Sequence, residues 1–95
     1  MQYRPNRIQT KQKAMLLVEG EAMHATIIDI SRDGAKLKVP YSILEGTAVR
    51  LRLGPNDTKA LVHWCHDGRA GIRFFDRLDR NTLTMIEYSE DAAPD

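Results

Sequence analysis

Asp29-Ile30-Ser31-Arg32-Asp33-Gly34 is the stretch on which the reading of this chain turns. A run with strand character, Ala22 to Ile28, arrives at it, and an alternating run, Ala35-Lys36-Leu37-Lys38-Val39, leaves it. Gly34 is expected to supply the positive φ that a tight reversal often needs. The carboxylate of Asp29 and the hydroxyl of Ser31 would then lie close together, as a small polar concavity on a β framework. Asp, Ser and Gly are also what an ordinary turn uses. The stretch alone therefore leaves a site and a well-made turn both open.

Outward from it, the patterning is that of short strands. Upstream, Lys13 to Glu19 reads as a first strand, turned by Glu19-Gly20-Glu21, and Ala22 to Ile30 as a β-branched second one. Downstream, Ala35, Leu37 and Val39 alternate with Lys36 and Lys38 until Pro40 stops the strand. Tyr41 to Gly46 connects, with Ile43 and Leu44 expected under the barrel end. Val49, Leu51 and Leu53 point one way, and Arg50 and Arg52 the other. Gly54-Pro55-Asn56-Asp57 is a loop signal. Lys59 to Cys65 and Ala70 to Phe75 flank His66-Asp67-Gly68-Arg69, a hairpin signal. Six short strands imply a mainly β fold, a small antiparallel barrel or sandwich. After Phe75 the period changes. Asp76 or Asp79 is expected to cap a helix with Leu78, Thr82, Met85 and Ile86 on one face.

The organisation expected is a flexible basic arm at residues 1–12, a β domain with its helix at 13–88, and an acidic disordered tail at 89–95. A chain of 95 residues holds one domain. Its net charge of +1 offers no global field for a nucleic-acid polymer or a membrane. The charge is uneven, however: Arg4, Arg7, Lys11 and Lys13 stand near the start with no acid among them. A single cysteine, Cys65, excludes an internal disulfide. No apolar run is long enough to span a bilayer. Met1-Gln2-Tyr3-Arg4-Pro5 lacks the apolar core of a signal peptide, so the expected location is cytoplasmic.

His63, Trp64, Cys65 and His66, with His24, do not make a metal set, because structural zinc takes paired thiolates. No orienting group or oxyanion donor marks a Cys/His nucleophile, and no glycine-rich phosphate loop is present. No catalytic, metal or cofactor-holding residues are expected. What remains is the arm and the turn. Guanidinium groups fork onto phosphate and onto the O6/N7 edge of guanine, and a carboxylate accepts from guanine's other edge.

The chain resembles a PilZ domain over nearly its whole length. Asp29-Ile30-Ser31-Arg32-Asp33-Gly34 fits the family's Asp/Asn-x-Ser-x-x-Gly signature. Gly46 to Leu53 resembles its next strand, and Val62-His63-Trp64 with Gly71-Ile72-Arg73-Phe74 its closing hairpin. The resemblance implies a six-stranded antiparallel PilZ-type β-barrel with a C-terminal α-helix. It further implies a bacterial, non-enzymatic receptor for cyclic di-GMP in motility or biofilm regulation, coupling the ligand to a protein effector. The ligand residues so implied are Tyr3, Arg4, Arg7, Asp29, Ser31 and Gly34, in a monomer or weak dimer.

The family's Arg-x-x-x-Arg arm is incomplete here. With Arg7 as the second arginine, Tyr3 takes the place of the first; with Arg7 as the first, Lys11 takes the second; with Arg4 as the first, Ile8 does. The first register leaves room for strand, turn and strand before Asp29 and is preferred. Tyr3 would then stack on a base and Arg4 reach a phosphate. The departure keeps a second implication in view, a ligand-independent adaptor acting through protein contacts alone.

Overall fold

The computed structural model describes residues 7–88. In chain order the elements are β1 (Ile8–Gln9), β2 (Lys13–Val18), β3 (Glu21–Ile30), β4 (Gly34–Lys38), β5 (Ala48–Leu53), β6 (Asn56–His66), β7 (Arg69–Phe74) and α1 (Arg80–Glu87). All pairings are antiparallel. Strands β2 to β7 close into a six-strand barrel because β3 pairs with β4 as well as with β2. The expected barrel and helix are therefore present, with β1 as one strand outside the closure.

Alternation builds the wall. Leu16, Ile27, Leu37, Val49, Leu51, Ala60, Val62, Ala70 and Ile72 point inward into one buried cluster. Burying each large aliphatic side chain contributes about 1.5–3 kcal/mol. Arg50 and Arg52 face water, as their spacing requires, and share Asp57 at 3.2 and 3.4 Å. Asn56 and Asp57 thus belong to β6 and not to a loop. A two-residue link suffices, because Gly54 takes φ 58° and Pro55 follows it. At Glu19-Gly20 and Asp67-Gly68 both residues have positive φ, the hairpin geometry that matches strand twist.

Asp79 is the cap: its Oδ1 accepts from the Asn81 N–H at 3.2 Å. The buried stripe differs from the expected one. Leu78, Leu83 and Ile86 are buried, whereas Met85 is 63% exposed. Residues 82, 83 and 86 cluster around the helix, while 85 lies roughly 100° away from 86. Leu44 also departs, at 83% exposed, and only Ile43 enters the core. Ile43 is the one held inward, its N–H donating to Cys65 Sγ at 3.4 Å.

Residues 8–12 were expected to close a flexible arm, but they run along β3. Ile8 pairs with Ile30 and Gln9 with Asp29, the Thr10 N–H donates to the Ile28 carbonyl, and the Ile27 N–H donates to the Gln12 carbonyl. Segments β1 and β2 lie on the same edge of β3, interrupted at Thr10–Gln12. The tail at 89–95 lies outside the described residues.

Candidate functional site

Two irregularities in the wall place the site. In β3, Ala25 and Ile27 point inward, and regular alternation would send Asp29 after them. The register shifts between Ile27 and Asp29, so Asp29 stands opposite Lys36 and faces away from the core, while Ile30 returns to it. In β6, Ala60 and Val62 point inward, and a second shift between Val62 and Trp64 turns Trp64 outward opposite Gly71. A bulge re-aims side chains in this way. Here the two together put a carboxylate and an indole on the outer wall. The second shift also separates His63 and Cys65, which regular alternation would place on one face.

Gly34 does not take the positive φ expected of it; among the described glycines that conformation belongs to 20, 46, 54 and 68. Its requirement is close approach. Gly34 pairs with Arg73, and a Cβ at Gly34 would run into the carbonyl oxygen of Ile72. Gly71 is small for a similar reason, since the Trp64 indole lies where its Cβ would stand.

Ser31 is 1% exposed. Its hydroxyl accepts from the Asp33 N–H at 3.2 Å and faces the Gly34 carbonyl at 3.5 Å, so it chiefly shapes the turn. The turn is fastened to the lead-in of α1. Arg32 Nε donates to the Leu78 carbonyl at 2.7 Å, and the Leu78 N–H donates back to the Arg32 carbonyl at 2.8 Å. Arg77 Nε reaches Asp33 Oδ1 at 2.9 Å. The two x positions after Ser31 thus anchor the loop.

Arg7 approaches this turn from across β3. Its Nη1 lies 3.3 Å from Asp29 Oδ1, with the Arg7 side chain 53% exposed and that of Asp29 14%. The distance makes an ion pair, but the geometry is not that of a hydrogen bond, and among the described residues the buried Asp29 Oδ1 has no hydrogen-bond donor. A cleft of about 500 Å³ opens here, its wall including Arg7, Ser31, Gly34, Lys36, Trp64 and Arg73. Among the described residues three cations face it, and its one acid, Asp33, is engaged by Arg77. Its chemistry suits an anion with a flat ring: guanidinium forks for phosphate, an indole face for a base.

Of the residues singled out from the sequence, Arg7, Ser31 and Gly34 line the cleft and Asp29 joins it through Arg7. Tyr3 and Arg4 lie outside the described residues. Lys36, Trp64 and Arg73 were not anticipated there. Lys36 read only as an outward strand position and Arg73 only as part of the closing hairpin, and what unites them is the pairing of β4 with β7. Among the described residues no group of three or more His, Cys, Asp or Glu could hold a metal ion, and no helix is long and apolar enough to cross a membrane.

Fold and cleft together define a small β-barrel domain with a cationic site on its outer wall. The chain belongs to the PilZ domain family, whose profile matches residues 2–89. Among solved structures it is similar to the crystal structure of the Borreliella burgdorferi PlzA protein in complex with c-di-GMP. That likeness has a TM-score of 0.69 at 17% identity, covering 92% of this chain and 40% of that one. The chain thus spans less than half the length of that protein, and the likeness carries the fold. A comparison with curated proteins finds no match.

Proposed function

We propose that this domain is a non-enzymatic, cytoplasmic receptor for cyclic di-GMP, acting without another cofactor and coupling occupancy to a protein partner in motility or biofilm control. The observation that carries the reading is Asp29 Oδ1, a buried acceptor without a hydrogen-bond donor among the described residues, held beside the Arg7 guanidinium. Such a group calls for an explanation. A guanine edge supplies N–H donors to a carboxylate, while its O6/N7 edge and the phosphates take a guanidinium. Family membership supports the same reading, as does the ligand seen in the PlzA crystal.

A calorimetric titration of the whole chain with cyclic di-GMP at one fixed salt concentration tests it. Saturable binding is expected. A flat titration favours the second reading, a ligand-independent adaptor. What favours that reading is Tyr3 in place of an arm arginine, together with an Arg7 already engaged by Asp29.

A further inference from the structure

We infer that an acidic protein segment docks across the barrel wall on a row formed by Lys13, Thr26, Lys38 and Arg69, beside the cleft but separate from it. The inference gives the chemistry of the partner that the receptor reading requires; it rests on that reading for its role and not for its geometry.

Strand register makes the row. Lys13 pairs with Thr26, Thr26 with Lys38, and Lys38 with Arg69 across β2, β3, β4 and β7. All four face outward, because Ala14, Ala25, Ile27, Leu37 and Ala70 beside them are buried. At about 4.8 Å per strand, Lys13 and Lys38 stand about 10 Å apart and Lys38 and Arg69 about 5 Å. A second cleft, of about 430 Å³, lies along Lys38 and Arg69, with His24, Thr26 and Pro40 also in its wall.

Like charges directly opposite one another destabilise a sheet. Lys38 and Arg69 are such a pair. Among the described residues no acid makes an ion pair with Lys13, Lys38 or Arg69. Asp67, an acid in the wall of the same cleft, is 93% exposed and turned to His66 Nδ1 at 3.4 Å. Compare the β5–β6 wall, where two outward arginines are given Asp57. The fold neutralises cations there and leaves them bare here.

Charge complementarity selects the occupant. An extended segment presents carboxylates from alternate residues about 7 Å apart, a spacing that flexible Lys and Arg heads reach from this row. A nucleic-acid polymer wants a longer basic field than a chain of net charge +1 supplies.

The test is fluorescence anisotropy of the whole chain with a labelled Glu-Ser-Glu-Ser-Glu-Ser-Glu peptide at low salt, without cyclic di-GMP. Saturable binding is expected, weakened about tenfold by Lys38→Glu with Arg69→Glu and less than about twofold by Lys59→Glu on another face. The neutral pair Lys38→Gln with Arg69→Gln should fall between, with melting curves showing each variant folded. No saturable binding overturns the inference, as does a double variant no weaker than Lys59→Glu. An oligothymidine of equal charge binding more tightly, with the same dependence on Lys38 and Arg69, overturns it in favour of nucleic acid. A failed cyclic di-GMP titration leaves the peptide result standing, so the two readings fail separately.

Discussion

Arg7 and Asp29 meet across the β1–β3 pairing, Nη1 3.3 Å from Oδ1, with the cation half in water and the carboxylate nearly out of it. Gln9 pairs with Asp29, so Arg7, two residues earlier, projects from the same side of its strand. The short strand outside the barrel thus carries the guanidinium to the turn.

Arg7→Ala should weaken cyclic di-GMP binding by about 1–3 kcal/mol, roughly 5- to 150-fold. Arg7→Lys should recover only part of this, since the charge returns without the fork. Lys11→Ala should cost much less, because Lys11 lies exposed between β1 and β2 and not in the cleft wall. Dissociation constants at one salt concentration check all three. A damaging Lys11→Ala beside a mild Arg7→Ala would reverse the arm's register.

Gly34→Ala should already destabilise the domain, and Gly34→Val more so, because the first added carbon meets the Ile72 carbonyl. Overpacking of this kind costs about 1–3 kcal/mol. A thermal melt without ligand should therefore fall by about 4–24 °C, at 4–8 °C per kcal/mol for a domain of this size. An unchanged melt for Gly34→Ala would contradict the close approach.

Arg32→Ala should destabilise the fold without touching the cleft wall. It removes the charged donor of a partly buried hydrogen bond to the Leu78 carbonyl, a loss of about 1.5–3 kcal/mol. Chemical denaturation measures it, and a midpoint equal to that of the parent would contradict the fastening of turn to helix lead-in.

Gly71→Ala should move Trp64. Its Cβ would meet the indole, the end of a side chain that can give way. Trp64 is the chain's one tryptophan, so a shift in emission reports on it alone. The expected result is altered fluorescence with a stability loss at the low end of about 1–3 kcal/mol.

Much of the barrel was legible because its signals are local. Alternation at Val49, Leu51 and Leu53 needs no knowledge of neighbours, and Asp67-Gly68 declares its own hairpin. The site was legible only in part. Asp29, Ser31 and Gly34 are close in sequence, and a family pattern unites them. Their individual reasons were not legible: Gly34 is small because of Ile72, which is distant along the chain. Lys36 and Arg73 join the cleft through the β4–β7 pairing, and nothing in either segment announces it. Met85 was misplaced because a short helix shows too few turns to fix its buried stripe.

The two register shifts have a consequence for how such a wall is encoded. Each is one surplus residue in a strand, at Ile28 and at His63. Were either extra residue paired regularly and not bulged, ordinary alternation would swing Asp29 or Trp64 toward the barrel interior. Deleting it would instead leave the pairing regular and the side chain outward. The outer face of this domain is therefore specified by counting as well as by chemistry. A pairing that absorbed either extra residue into regular alternation would keep every motif letter and still turn the site inside out.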